Sequence, residues 1–298
     1  MARIRSWQLF AVCVLVWGTT WHAITYQVGS VAPDVGVTLR FAIAGATVLA
    51  ICVLRGLPLR FAARDHALLA LQGVFMYGVA YVSIYEAERH LPSGLVAVGY
   101  SASPLLAGLG AQRLFGVPVT RRFVAGGALG VAGVALIFWP EFGRAAGSAR
   151  VGLGVLCTVL AVLLSAVGSL AASRNRSRGL PFWPALGWGM LYGAAASALV
   201  ALLQGHAFVL PMQASWWVSL LYLSLFGSVL TFACYLTLQD RLGPGPSGTI
   251  GVMTPLLALV VSMAFEGFRP DVLTGLGAAL AVGGNLMMLR PVAVRATA

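Results

Sequence analysis

Ten stretches of about twenty apolar residues, each closed by a short polar segment, leave this chain few ways to fold. A run of that length spans the hydrocarbon of a bilayer as a helix. Only helices and closed barrels satisfy their backbone groups there. The runs read as helices over 7–26, 33–54, 66–86, 92–112, 122–139, 151–172, 183–204, 214–238, 246–265 and 271–289. The first is too long for a signal-peptide core, and Trp17-Gly18-Thr19-Thr20-Trp21 offers no small-residue cleavage site. Pro33 suits a first helical position. The short loops make neighbouring helices antiparallel.

Charge places the ends. Only 9% of the 298 residues are charged, against about 25% in soluble domains. The expected class is therefore an all-α integral membrane protein. All 19 basic residues are arginine. With the amino terminus in the cytoplasm, fourteen arginines fall on cytoplasmic segments. Arg89, Arg144, Arg150 and Arg269 fall outside, and Arg40 lies within a span. That bias predicts ten crossings with both termini cytoplasmic. A net charge of +11 carried on membrane-flanking loops points to anionic lipid headgroups rather than nucleic acid. Cys13, Cys52, Cys157 and Cys234 each stand alone in an apolar run, so neither a metal nor a redox pair is expected.

The chain also repeats itself. Pro33 and Pro104 are 71 positions apart, as are Pro184 and Pro255. Pro104-Leu-Leu-Ala returns as Pro255-Leu-Leu-Ala, and Gly133 and Gly284 follow those prolines at equal distance. Pro92-Ser93-Gly94 returns as Pro246-Ser247-Gly248. Each copy holds five helices, an odd number, so the copies must enter the membrane from opposite sides. The expected organisation is two inverted repeats, 1–146 (helices 1–5) and 147–298 (helices 6–10), a transporter pattern with its site near the midplane.

Trp17-Gly18 in helix 1, Pro33 with Arg40 in helix 2, the Tyr100-Ser101-Ala102-Ser103-Pro104 pattern of helix 4 and Glu266-Gly267 after helix 9 resemble the EamA-type drug/metabolite transporter superfamily over essentially the whole chain. The aromatic residues are similar to those of its aromatic amino acid exporters. That resemblance implies alternating access around a central cavity, with helices 5 and 10 peripheral. One departure is Phe115-Gly116, which stands where the second half has Glu266-Gly267 and makes any acidic gate one-sided.

Candidate cavity residues come from helix faces. Tyr77, Tyr81 and Tyr85 recur at i, i+4, i+8, an aromatic stripe roughly 12 Å long. Trp17 and Trp21 share a face of helix 1, and Tyr100 and Ser103 lie on helix 4. The second half offers Ser165, Ser169, Trp188, Tyr222, Thr249 and Met253. Each of these could equally be core packing. Tyr26 and Tyr85, nearer helix ends, read better as interfacial anchors. Arg40 is a charge inside the membrane, either a receptor for a substrate carboxylate or a structural group. Pro104 and Pro255 each remove a backbone hydrogen bond and are expected hinges. Glu86 and Glu266, at outer ends, are expected gate residues, and His22 lies near them.

Enzyme chemistry lacks its parts. Gly245-Pro246-Ser247-Gly248 fits a rhomboid-type Gly-x-Ser-Gly, but all four histidines precede Ser247, leaving no later base. The expectation is a monomeric inner-membrane secondary transporter, without cofactor or metal. It exports small metabolites, foremost aromatic or hydrophobic amino acids. Export of drug-like or other metabolites, or passive conduction, are the alternatives.

Overall fold

The computed structural model describes residues 4–116, 119–145, 149–242 and 250–289, and every regular element among them is helical. In chain order, α1 is Ser6–Val28 and α2 is Pro33–Leu54. Helix α3 is Ala63–Glu88, with a π-helical segment at Val74–Val79. Helix α4, Ser93–Phe115, comes in two pieces, Ser93–Tyr100 and Ser103–Phe115. Then follow α5 (Arg121–Ala145), α6 (Ala149–Ser177) and α7 (Phe182–Leu203). Helix α8 covers 214–242, with a π-helical segment at Tyr222–Leu230. Helices α9 (Ile250–Phe265) and α10 (Val272–Leu289) end the described chain. Among the described residues seven helices are long and apolar enough to cross a membrane: α1 to α4, α6, α7 and the 214–235 part of α8. Met253–Phe265 and Val272–Met288 are shorter apolar helices. Thr249 and Ser247 lie outside the described residues.

Helix α4 is interrupted just before Pro104, between Tyr100 and Ser103. Pro104 has no N–H to donate one turn back, to the Tyr100 carbonyl. The chain responds by tightening. The N–H groups of Ser101, Ala102 and Leu105 donate three residues back, to Val98, Gly99 and Ala102, and the Ser101 hydroxyl also donates to the Val98 carbonyl. Pro255, 151 positions further on, stays inside an unbroken α9. There the Thr254 hydroxyl donates to the Ile250 carbonyl. The helix is thus interrupted at Pro104 and continuous through Pro255.

Helix α2 packs on α7, α5 on α10 and α4 on α9. Helix α1 packs on α9 and α8, while α6 packs on α4 and α3. Helix α3 packs on α7 and α8 on α2. Exchanging each helix of the first five for the one five later maps these contacts onto one another, but α5 also packs on α6, and α1 on α3 and α4, with no equivalent of similar extent in the other half. Helices α3 and α8 both carry a π segment, and Gly116 and Gly267, left-handed at φ +68° and +67°, close α4 and α9. A side chain at either glycine would be strained.

Helices α5 and α10 form a pair at the side of the bundle, held by backbone contact. A Cβ at Gly133 would collide with the Gly277 carbonyl and come 2.6 Å from the Ala281 nitrogen. A Cβ at Gly283 would meet nothing within 4 Å. Gly133→Ala is thus expected to destabilise the protein by about 1–3 kcal/mol through overpacking. Gly283→Ala should be neutral or slightly stabilising, since alanine is the better helix former. Thermal unfolding of the two variants in one detergent checks the contrast.

Candidate functional site

Aromatic side chains from four helices meet in the interior. The Trp17 Nε1–H of α1 donates to the Gly227 carbonyl in the π segment of α8, at 3.0 Å. Its ring centroid lies 5.4 Å from Phe232 and from Tyr235. Phe232 in turn faces Tyr77 at 6.1 Å. Tyr77 faces Phe41 of α2 at 5.4 Å, and Phe41 meets Tyr81 edge-on at 4.8 Å. The chain of rings ends at Arg40, whose guanidinium carbon stands 4.8 Å from the Tyr81 centroid and 5.2 Å from Phe41. Such stacking of Arg on rings is favourable, more so away from water.

Arg40 is 2% exposed. It donates from Nε to Ser228 Oγ and from Nη1 to the Tyr85 hydroxyl, both at a long 3.4 Å. Ser228 lies in the π segment, where its hydroxyl donates five residues back to the Leu223 carbonyl. The wider turn of a π helix brings Gly227 and Ser228 to Trp17 and Arg40. π segments recur at functional sites. Beside this group, Trp21 and Tyr100 lie 5.7 Å apart, and the Tyr100 hydroxyl donates to Ser165 Oγ of α6 at 2.6 Å. Tyr222 is hydrogen-bonded to Thr19 at 2.6 Å.

The structure thus brings together Trp17, Tyr77, Tyr81 and Arg40 in one chain of contacts, with Trp21, Tyr100 and Ser165 as a second group. Ser103 and Ser169 are half-buried, at the α4 break and one turn beyond Ser165. Trp188 goes elsewhere. It donates to the Leu59 carbonyl at 3.1 Å and stacks on Tyr192 beside His66, near the start of α3 and far along that helix from Tyr85. Met253 is 43% exposed, on the outer face of α9.

Tyr85 corrects the sequence reading. It is fully buried against Arg40, not an anchor at a membrane surface. Its spacing from Tyr77 and Tyr81 already put it on their face, and its place near a helix end was the misleading cue. Phe41, Phe232, Ser228 and Glu88 were not singled out. Glu88 continues the same stripe, three residues beyond Tyr85.

A second constellation ties helix ends. Glu266, just past α9, accepts from the Ser93 backbone N–H (2.9 Å), the Ser93 hydroxyl and the Ser262 hydroxyl (2.9 Å), and pairs with His22 Nδ1 at 3.0 Å. One carboxylate thereby joins α1, α4 and α9. Burial raises the affinity of Glu266 for a proton, but these hydrogen bonds outweigh it and hold its carboxyl below the usual carboxylate range. Glu86 lies nearby and pairs instead with Arg89 and His90, each at 3.1 Å. It borders a cavity of about 560 Å³ with Pro33, Asp34, Arg89, Gln204 and His206. His206 Nδ1 and Asp34 Oδ2, both on its lining residues, are hydrogen-bonded at 2.8 Å.

An apolar helical bundle with a buried arginine and convergent aromatics describes a membrane transport protein. The chain belongs to the EamA-like transporter family, which matches residues 5–139 and again 152–290. It is 27% identical over 87% of its length, and 82% of the other chain, to the uncharacterized inner membrane transporter YedA of Escherichia coli (strain K12). It is 26% identical to Protein PecM of Dickeya dadantii, over 88% of this chain and 84% of that one. Streptantibioticus cattleyicolor has a relative named "Probable terminal-alkyne amino-acid exporter", 25% identical over 76% of this chain and 74% of that one. A solved crystal structure superposes with a TM-score of 0.67 over 96% of both chains at 23% identity, a likeness of fold alone.

Proposed function

We propose that this protein is a ten-span, inverted-repeat secondary transporter that exports aromatic or hydrophobic amino acids by alternating access. The observation that carries the reading is the buried Arg40 guanidinium stacked on Tyr81 and Phe41. It offers a cation for a carboxylate beside rings for an apolar side chain. The terminal-alkyne amino-acid exporter among its relatives supports an amino acid as cargo. The exchange symmetry of helix packing and the two family matches support repeats at 1–146 and 147–298. Trp17, Trp21, Tyr77, Tyr81, Tyr100 and Ser165 are the proposed lining, with Tyr222, Ser103 and Ser169 at its margin. Pro104 and Pro255 serve as hinges, and Glu266 and Glu86 as gate groups.

The test is initial-rate uptake and counterflow of an amino-acid panel in proteoliposomes. Saturable uptake of phenylalanine with counterflow is expected. Flux that rises linearly and shows no counterflow would mean a passive channel, and saturable uptake of other metabolites alone would change the substrate class.

The arginine bias sets the proposed orientation in an inner membrane, as a monomer among anionic lipids with both termini cytoplasmic. Gly29 is exposed between α1 and α2 and Ser177 is exposed at the end of α6, while the four native cysteines are buried. Gly29→Cys is therefore expected to react with an impermeant maleimide in intact cells, and Ser177→Cys only after permeabilisation. The reverse pattern would invert the orientation.

A further inference from the structure

Glu88 ends α3 and is 7% exposed, and neither of its carboxylate oxygens has a hydrogen-bond partner. Nearly all buried polar groups are paired, so one that is not marks a place that something else completes. The charged groups that act on it are Glu266, at the end of α9, and Arg40 of α2. Glu266 is already engaged by Ser93, Ser262 and His22 and donates nothing to Glu88. Arg40 donates to the Tyr85 hydroxyl, one turn before Glu88 on the same helix. Among the described residues, however, Arg40 and Glu88 form no ion pair, and Arg40 keeps only long hydrogen bonds. A guanidinium with only long hydrogen bonds and a carboxyl with none are thus buried at neighbouring turns, the first beside Tyr85 and the second one turn further along α3.

We propose that Arg40 and Glu88 together read a zwitterion, with the guanidinium taking the carboxylate of a bound amino acid and Glu88 its ammonium. The substrate's side chain then lies toward Tyr81 and Phe41. This rests on the reading of the aromatic cluster as an amino-acid site and adds Glu88 to it as a specificity residue. A ligand carrying both charges completes both groups at once and adds no net charge to the interior. A ligand carrying one charge leaves the other protein group buried and alone, which is the condition under which a site rejects an analogue most strongly. A proton could complete Glu88 by itself, but would make no use of the nearby arginine. The site is closed in this structure, and release of the Glu266 tie between α1, α4 and α9 is the opening that would admit a ligand.

The experiment is competition against phenylalanine counterflow by 3-phenylpropanoate, which has only the carboxylate, and by 2-phenylethylamine, which has only the ammonium. In wild-type protein, unlabelled phenylalanine should compete at least about tenfold better than either. Glu88→Gln should weaken phenylalanine by about 10- to 100-fold and leave 3-phenylpropanoate equal or better. Arg40→Gln should weaken phenylalanine similarly and spare 2-phenylethylamine. Half-charged probes that compete as well as phenylalanine in wild-type protein overturn the pair, a result that needs no variant to fold. So does unchanged phenylalanine affinity in Glu88→Gln. If Glu88→Gln loses only accumulation driven by a pH gradient, with counterflow intact, Glu88 carries a proton and the zwitterion reading falls. Wild-type protein that recognises none of the three probes overturns the amino-acid reading itself.

Discussion

Glu266→Ala is expected to unfasten one end of the helix bundle. A single carboxylate there accepts from Ser93 twice and from Ser262 once and pairs with His22, so its loss frees α1, α4 and α9 from one another at the same moment. A hydrogen bond to a charged group contributes about 1.5–3 kcal/mol net. Even if only one such bond's worth is specific to the closed arrangement, the open population should rise about 10- to 100-fold. Ala97→Cys reports this well. It sits one turn inside Ser93 on α4 at 1% exposure, and the native cysteines are buried. Its labelling rate should increase at least tenfold when Glu266→Ala is added. Glu266→Gln should fall between, since an amide accepts fewer hydrogen bonds and carries no charge. The pH dependence has a definite sign. Because the folded carboxyl is held below its ordinary range, the tie is fully present above that range and is lost as pH falls through the lower, folded value. Measured relative to a permanently exposed reference cysteine, which corrects for the falling thiolate fraction, labelling should thus be flat from neutral to mildly acidic pH and rise only in stronger acid. In Glu266→Gln that acid-induced rise should vanish. An unchanged labelling rate in Glu266→Ala would mean that the tie does not hold the bundle shut.

How much of this was legible beforehand depends on what each feature requires of its neighbours. The helices were legible because an apolar run bounded by polar residues is a local property, and each described helix falls on an expected run. The proposed repeat rests on the spacing of prolines and glycines. The π segments were not legible. An i→i+5 turn is a choice made by packing, and nothing in Tyr222–Leu230 announces it. The unequal behaviour of Pro104 and Pro255 was equally hidden, because both have the same local chemistry. Of the site, Arg40 and the Tyr77–Tyr81 stripe could be read from charge and periodicity. Tyr85 was misjudged because distance from a helix end is a poor guide to depth once neighbouring helices extend past it. Glu88 was passed over for the same reason, although its spacing from Tyr85 puts it on the same face. Phe41 and Phe232 gave no signal at all. Phenylalanine is ordinary in a membrane helix, and only the fold shows which ones meet the tyrosines.

Among the lining residues the largest loss is expected at Arg40. Arg40→Ala removes the one cation proposed for the substrate carboxylate, and charge-assisted bonds of about 1.5–3 kcal/mol convert to roughly 10- to 100-fold in initial rate at subsaturating amino acid. Arg40→Lys should recover only part of this, since a point charge lacks the planar fork and stacks less well on Tyr81. A purely structural arginine behaves differently. Its loss would lower the melting temperature and depress transport of charged and uncharged substrates alike, so thermal unfolding is measured alongside. The rings come next. An aromatic pair is worth about 0.5–1.5 kcal/mol beyond area burial, so Tyr81→Leu should cost phenylalanine about two- to tenfold and leucine less. Tyr77→Leu and Tyr100→Leu should follow the same order with smaller differences, because those rings also pack against Phe232 and Trp21. Trp17→Phe keeps a ring beside Phe232 but loses the bond to the Gly227 carbonyl, so its effect should fall on both substrates equally. The deciding measurement is the ratio of phenylalanine to leucine initial rates in each variant. A ratio that stays at the wild-type value in Tyr81→Leu, Tyr77→Leu and Tyr100→Leu would remove the stacking role, and Arg40 would be left reading a carboxylate without regard to the side chain beyond it.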